Sequence, residues 1–138
     1  MPKTQAVFYR DKKGNEPVDA FIDGLQDKRA AKINQAIDKN LNGRDPDDPP
    51  PEFPATSQLD GELRELRVRF AGTRYRILYR RSKNLVVLLH AIEKDKGKVP
   101  TADIDKANAR FKDFTKRMNA EKRERPRAAG RDAPPKTR

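Results

Sequence analysis

Residues 62–98, ELRELRVRFAGTRYRILYRRSKNLVVLLHAIEKDKGK, decide the fold of this chain. Apolar and charged residues alternate in residues 65–70, and this period of two predicts a strand with one buried face. The alternation returns in residues 74–80 after a turn at Gly72, and the apolar run 85–92 predicts a central strand buried on both faces. Three strands joined by short turns predict an antiparallel sheet.

The segments on either side of this stretch predict three helices and one more strand. Pro17 suits a first helical position, and apolar residues then recur with helical spacing at Val18, Phe21, Ile22 and Leu25. A second helix is predicted to begin at Asp27, and a third at Thr101. A short strand in residues 5–10 precedes them. The predicted order is β-α-α-β-β-β-α, an α+β fold in which a helix hairpin covers one face of a small, mainly antiparallel sheet.

Two segments lack any periodic pattern. Residues 44–57 contain five prolines and predict an extended connecting loop. Residues 116–138 carry nine basic and three acidic residues and almost no apolar ones, which predicts disorder. The chain is therefore divided into one folded domain, residues 1–114, and a basic tail, residues 115–138.

Composition restricts the class of protein. The chain has 32 Lys plus Arg against 21 Asp plus Glu, a formal charge of +11 that favours an anionic partner. It has no cysteine and one histidine, which excludes disulfides and thiolate metal sites and leaves too few ligands for zinc. No apolar run is long enough to cross a membrane, and the N-terminus lacks the apolar core of a signal peptide. We expect a cytoplasmic protein that does not associate with membranes.

Basic residues are concentrated on the predicted strands. Between Arg64 and Lys83 there are eight basic residues and one acidic residue, Glu65. Arg67 and Arg69 can lie beside Arg74 and Arg76 of the next strand if the turn pairs them. Guanidinium groups match two phosphate oxygens and stay protonated, so such a cluster can hold a phosphodiester and stabilise the charge that develops when a ribose hydroxyl attacks it.

Simpler interpretations of these residues remain open. Charged residues on an exposed strand face are commonly solvated surface, and Glu65 can pair with an arginine. The predicted strands place Tyr75 and Tyr79 in the core rather than against nucleic-acid bases. His90 can be a buried, hydrogen-bonded structural residue or a general acid or base. The lysines after the central strand either extend the basic surface or belong to a solvated turn; they are Lys94, Lys96 and Lys98.

Several motifs in a fixed order resemble a known family. They are LDGELRELR (59–67), YRILY (75–79) and VVLLHAIEKDKGKVP (86–100), followed by the helix that contains Ala107. This set, spread over most of residues 6–114, resembles the RelE/ParE toxin superfamily, and specifically its HigB-like, phage-derived branch of type II toxin–antitoxin systems. The resemblance implies a RelE-like fold.

The resemblance also implies a function and a set of site residues. It implies a ribosome-dependent mRNA endoribonuclease that cleaves through attack by the RNA 2′-hydroxyl, with no metal or cofactor, and that a helix-turn-helix antitoxin neutralises. Arg67, Arg76 and Lys94 take the catalytic positions. The remaining cations of the surface would bind RNA: Arg64, Arg69, Arg74, Lys96 and Lys98.

Two other functions are compatible with the same sequence. A gyrase inhibitor of the ParE kind would use the same fold and need not retain the arginine pair. A non-enzymatic relative would bind RNA without cleaving it, because Asp95 stands where a second lysine is common and opposes phosphate binding.

Overall fold

The computed structural model describes residues 2–120 and 124–134, and it has an α+β fold of five strands and three helices in those residues. In chain order the elements are β1 (Gln5–Phe8), α1 (Pro17–Asp23), α2 (Asp27–Leu41), β2 (Thr56–Asp60), β3 (Leu63–Phe70), β4 (Thr73–Ser82), β5 (Leu85–Glu93) and α3 (Thr101–Met118), followed by a 3₁₀ turn at Gly130–Asp132. None of the helices in the described residues combines the length and the hydropathy that a membrane span requires.

The five strands form one mixed sheet in the order β1-β5-β4-β3-β2. Strand β1 runs parallel to β5, and the other neighbouring strands are antiparallel. The predicted order lacked β2 and was therefore wrong by one strand. Thr56–Asp60 has the sequence TSQLD, and of its residues only Thr56 is buried, so this edge strand carries no alternation that a sequence pattern could detect.

Helices cover both faces of the sheet. Helices α1 and α2 form the predicted hairpin on one face, where Ile33, Ile37 and Leu66 belong to the larger apolar core. Helix α3 lies on the other face, where Leu78, Ala107 and Phe114 belong to a second, smaller core. The period of two in β3 and β4 therefore sends alternate side chains to the hairpin face and to the α3 face.

The structure corrects the prediction of a disordered tail for residues 124–134. The N–H of Phe8 donates to the carbonyl of Arg127 at 2.9 Å, and the N–H of Ala129 donates to the carbonyl of Ala6 at 2.8 Å. These bonds add a short antiparallel segment along β1, at the edge of the sheet, and Ala129 is fully buried there. Helix α3 also continues past residue 114 to Met118. Residues 121–123 and 135–138 of the predicted tail lie outside the described residues.

Candidate functional site

The turn between β3 and β4 sets the register of the site. Ala71 and Gly72 form a two-residue turn with φ values of 49° and 81°, and such turns match the twist of the paired strands. The resulting register pairs Arg67 with Arg76 and Arg69 with Arg74. Directly paired residues of antiparallel strands share a face, so the predicted clustering of these four residues is confirmed. We call this group the arginine face: Arg67, Arg69, Arg74 and Arg76.

A single buried carboxylate lies between the paired arginines. Glu65 is 3% exposed, and its Oε1 lies 3.6 Å from Nε of Arg67 and 3.7 Å from Nη1 of Arg76. The Arg76 side chain is itself 6% exposed. Both distances are those of an ion pair but exceed the length of a good hydrogen bond. The two guanidinium groups thus converge on one point without being fixed there by directional bonds.

Both facing arginines keep a donor without a partner. Nε of Arg67 and Nε of Arg76 are buried, and neither has a hydrogen-bond partner among residues 2–120 and 124–134. A buried N–H that is left unpaired costs free energy, about 1 to 3 kcal/mol and more when the group is charged. Nε of Arg64 and Nε of Arg80, outside the arginine face, are buried and unpaired as well, so this feature is not specific to the site. What favours an anion such as phosphate is that two guanidinium groups face each other across the strands.

Burial and charge act in opposite directions on Glu65 in this site. Burial raises the pKa of Glu65, although Arg76, Arg67 and Arg74 oppose that shift. Desolvation lowers the pKa of Arg74, and repulsion by Arg67, Arg69 and Arg76 lowers it further, while Asp95 acts in the opposite direction. Like charges that repel one another in this way are stabilised when an anion binds between them.

The segment after β5 is attached to the arginine face through its backbone. The N–H of Lys94 donates to the carbonyl of Arg74 at 3.0 Å, and the carboxylate of Asp95 accepts from the N–H of Arg74 at 3.1 Å. Asp95 thus ties this segment to the start of β4 and brings a negative charge close to Arg74. Lys94 is adjacent to Arg74, whereas Lys96 and Lys98 are exposed further along the segment.

His90 is engaged in a separate network at the base of α3. Its Nε2 lies 2.7 Å from Oδ1 of Asp103, and its Nδ1 lies 3.1 Å from Nη1 of Arg110. Burial lowers the pKa of His90, the hydrogen bond with Asp103 opposes this, and the charge of Arg110 adds to it. A neutral ring that donates to Asp103 and accepts from Arg110 uses both nitrogens, so the geometry favours the structural interpretation of His90 over a role as acid or base.

Arg64 lies apart from the arginine face. It pairs with Tyr79 in the register of β3 and β4, which puts it on the hairpin face, and its Nη2 donates to the hydroxyl of Thr56 at 2.9 Å. Arg64 is therefore not part of the arginine face, because residue 64 has the opposite strand phase, and its RNA-binding role stays a prediction. Tyr75 and Tyr79 are buried in the larger core, as the alternation predicted.

The sequence interpretation missed Phe53. This residue lies in the proline-rich connecting loop and is 70% exposed, and Cζ of Arg67 lies 4.8 Å from the centroid of its ring. An aromatic residue within a run of prolines was the available signal, but only the folded loop brings it beside Arg67. In the described parts of the chain, no three His, Asp or Glu side chains come together in a way that could hold a metal ion.

Residues 20–112 match the model of a protein family described as Phage derived protein Gp49-like (DUF891). The chain belongs to this family. The Gp49-like family is a phage-derived, toxin-like family of the RelE/HigB type, which confirms the resemblance at that level. The match includes every residue of the arginine face. A comparison with curated proteins gives no match.

Glu65 supplies a first prediction, which concerns stability. A raised pKa means that the fold disfavours the ionised carboxylate, so the stability associated with neutral Glu65 is fully present below its ordinary pKa of 4.5 and is lost as the pH rises through the folded-state value. Glu65→Gln, which cannot ionise, is expected to melt at a higher temperature than wild type at pH 8 and at the same temperature at pH 4. Thermal melts of both proteins across this range measure the difference.

A matched control is Glu62→Gln, since Glu62 ion-pairs with Arg80 in an exposed position. This variant should follow the wild-type pH profile closely, because exposed ion pairs contribute little. If Glu65→Gln instead melted at a lower temperature than wild type at pH 8, attraction between the Glu65 carboxylate and the arginines would outweigh the cost of burying that carboxylate. This result would contradict the raised pKa of Glu65.

Proposed function

We propose that this Gp49-like protein is the toxin of a type II toxin–antitoxin system and acts as a ribosome-dependent mRNA endoribonuclease. Family membership supports a toxin, and the arginine face supports a substrate that carries phosphate. The observation that carries the proposal is the pairing of Arg67 with Arg76 across β3 and β4, with both guanidinium groups converging beside Glu65.

The proposed reaction needs little from the protein beyond binding and charge. Arg67 and Arg76 hold the two non-bridging oxygens of the scissile phosphate. The neighbouring 2′-hydroxyl attacks phosphorus, the O2′–P bond forms, and the P–O5′ bond breaks. The 2′-hydroxyl loses its proton to water and the leaving O5′ takes one up, which gives a 2′,3′-cyclic phosphate and a 5′-hydroxyl end. The arginines act catalytically because they bind the charge of the pentacovalent transition state more strongly than that of the ground state.

The other cations extend this site along the RNA. Arg69 and Arg74 form the second facing pair, two residues closer to the turn, and are placed to contact the next phosphate along the strand. The backbone hydrogen bond between Lys94 and Arg74 places Lys94 beside this second pair, where its side chain would add a further cation. Lys96 and Lys98 contribute exposed charge for initial attraction of the message, an effect that salt weakens.

The partners follow from the same proposal. The toxin would enter the A site of a translating ribosome in the cytoplasm, where the message is single-stranded and exposed. A helix-turn-helix antitoxin would neutralise it, and covering the arginine face with acidic side chains is the most direct way to do so.

The test is inducible expression followed by a search for broken messages. Induction is expected to stop growth and protein synthesis, and primer extension on an abundant message should show new ends within the translated region that carry a 5′-hydroxyl. DNA damage with intact messages would instead support gyrase inhibition. Intact messages and unimpaired growth, together with RNA binding in vitro, would support the non-enzymatic alternative.

A further inference from the structure

Phe53 is the one large hydrophobic residue that is strongly exposed among residues 2–120 and 124–134, at 70%. A single exposed apolar side chain is common on protein surfaces. Phe53 differs because its ring contacts the guanidinium of Arg67, one of the facing arginines. We propose that Phe53 stacks on an unpaired base of the RNA whose phosphate binds the arginine face. This inference rests on the proposed function and adds a base-binding subsite to it.

Hydrogen bonds hold the loop backbone on both sides of Phe53 in a defined place. The carbonyl of Ala55 accepts from the N–H of Arg67 at 2.8 Å, and the N–H of Ala55 donates to the carbonyl of Glu52 at 3.1 Å. The hydroxyl of Thr56 donates to the carbonyl of Pro51. Prolines on both sides of Phe53 further limit the backbone. A side chain on an ordered backbone loses less entropy when a base stacks on it than one on a flexible loop.

The ring and the phosphate site are joined by one guanidinium group. Arg67 contacts the Phe53 ring at 4.8 Å and the Glu65 carboxylate at 3.6 Å, and Glu65 marks the point where the two facing arginines converge. A base attached to a phosphate that binds the outer side of the Arg67 guanidinium, away from Glu65, is therefore within reach of the ring. Arg67 covers part of the ring, and the exposed remainder is open to a second flat partner.

This combination of groups is suited to single-stranded RNA. Proteins that bind single strands pair a basic surface with aromatic side chains on which unpaired bases stack, and an arginine over the ring adds a cation–π contribution. Stacking of this kind tolerates every base, because each presents a flat π face. The subsite would therefore recognise the presence of a base at one position rather than its identity.

The test measures binding of a short, fluorescently labelled single-stranded RNA in which every 2′-hydroxyl is methylated, so that its own hydroxyl cannot cleave it. Wild type is compared with Phe53→Ala, with Phe53→Leu, which keeps an apolar side chain without a ring, and with Phe53→Tyr, which keeps the ring. A set of the same RNAs, each with one abasic position, completes a double-mutant cycle. Thermal melts confirm that the variants fold, as exposed Phe53 leads us to expect.

If Phe53 stacks on a base, loss of the ring and loss of that base must have coupled effects on RNA binding. Phe53→Ala and Phe53→Leu should each weaken binding roughly tenfold, and Phe53→Tyr should bind like wild type. Removing the base at one position should weaken RNA binding by wild type by a similar factor. The same change should leave RNA binding by Phe53→Leu almost unchanged. Equal losses for wild type and Phe53→Leu at every abasic position would overturn the inference, because Phe53 would then act only by orienting Arg67. Unchanged affinity of Phe53→Leu for the intact RNA would overturn it as well.

Arg76→Gln separates this inference from the proposed function. It should weaken binding of every RNA in the set, with or without an abasic position. If Arg76→Gln binds like wild type, the arginine face does not hold the phosphate and the proposed function fails. If Arg76→Gln loses binding while Phe53 shows no coupling, only the base subsite fails.

Discussion

Arg76→Gln is expected to slow RNA cleavage by roughly two to three orders of magnitude, and to relieve the growth arrest that follows induction. The Arg76 side chain is almost fully buried and faces Arg67 across the strand pair. A charge that develops on a phosphate in such a site is stabilised more strongly than it would be in water. Loss of one of two preorganised donors therefore removes stabilisation that the transition state needs. Primer extension after induction and a single-turnover cleavage assay on programmed ribosomes measure the effect.

Arg80→Gln is the matched control for this prediction. Arg80 lies on the same strand as Arg76, but its guanidinium stacks on Phe111 at 4.5 Å and pairs with Glu62 at 2.9 Å. It should retain cleavage within a few-fold of wild type. Arg76→Lys tests the geometry of the donor, since a lysine keeps the charge without the planar fork and is expected to recover only part of the activity.

Folding of the variant needs its own check, because Arg76 is a counter-ion of buried Glu65. The double variant Arg76→Gln with Glu65→Gln removes both charges and should fold even if the single variant is destabilised. The site assignment would be abandoned if folded Arg76→Gln and Arg67→Gln proteins both stayed fully toxic.

The sequence predicted the arginine face because strand alternation and a short turn suffice to place it. Arg67, Arg69, Arg74 and Arg76 share a phase, and the Gly72 turn leaves only one register that buries Leu66 and Ile77 together. Arg64 was grouped with these residues because it is an arginine in the same basic stretch. Its position in the strand alternation puts it on the opposite face of the sheet. The position of Phe53 could not be obtained from local pattern, since it depends on how a loop without periodicity returns to the sheet.

The edge strands were missed for a related physical reason. Thr56–Asp60 and the segment around Ala128 are held by backbone hydrogen bonds to β3 and β1, and every residue type except proline can donate and accept such bonds. Composition therefore says little about them. The charge of residues 124–134, which suggested disorder, is partly neutralised by ion pairs of Arg127 with Glu16 at 3.1 Å and with Asp19 at 2.9 Å.

Removing residues 121–138 is expected to destabilise the domain by about 2 to 3 kcal/mol, or roughly 10 °C in melting temperature. The deletion leaves the N–H of Phe8 without its partner and removes one of the two donors to the carbonyl of Ala6, which keeps the side-chain amide of Gln5. It uncovers the core where Ala129 is buried. It also removes the ion pairs of Arg127 with α1. Calorimetry or thermal circular dichroism on the full chain and the deletion measures the loss.

A pair of single substitutions tests the same contact without shortening the chain. Gly130 has φ +76°, and a Cβ there would lie 2.7 Å from Nδ2 of Asn42. Asn42 has little freedom to move, because its side chain donates to Asp38 and to the carbonyl of Ala129 and accepts from the N–H of Ala6 at 2.6 Å. Gly14 has a similar φ of +88° with nothing within 4 Å of a Cβ, so Gly14→Ala bears the backbone strain alone.

Gly130→Ala should therefore lower the melting temperature more than Gly14→Ala does, and the difference reports the packing of this segment against α2. A disordered tail predicts the reverse order, because a glycine in a disordered chain can be replaced by alanine at no cost to the fold. The comparison is informative even if the deletion protein aggregates through the uncovered edge of β1, since both alanine variants keep that edge paired.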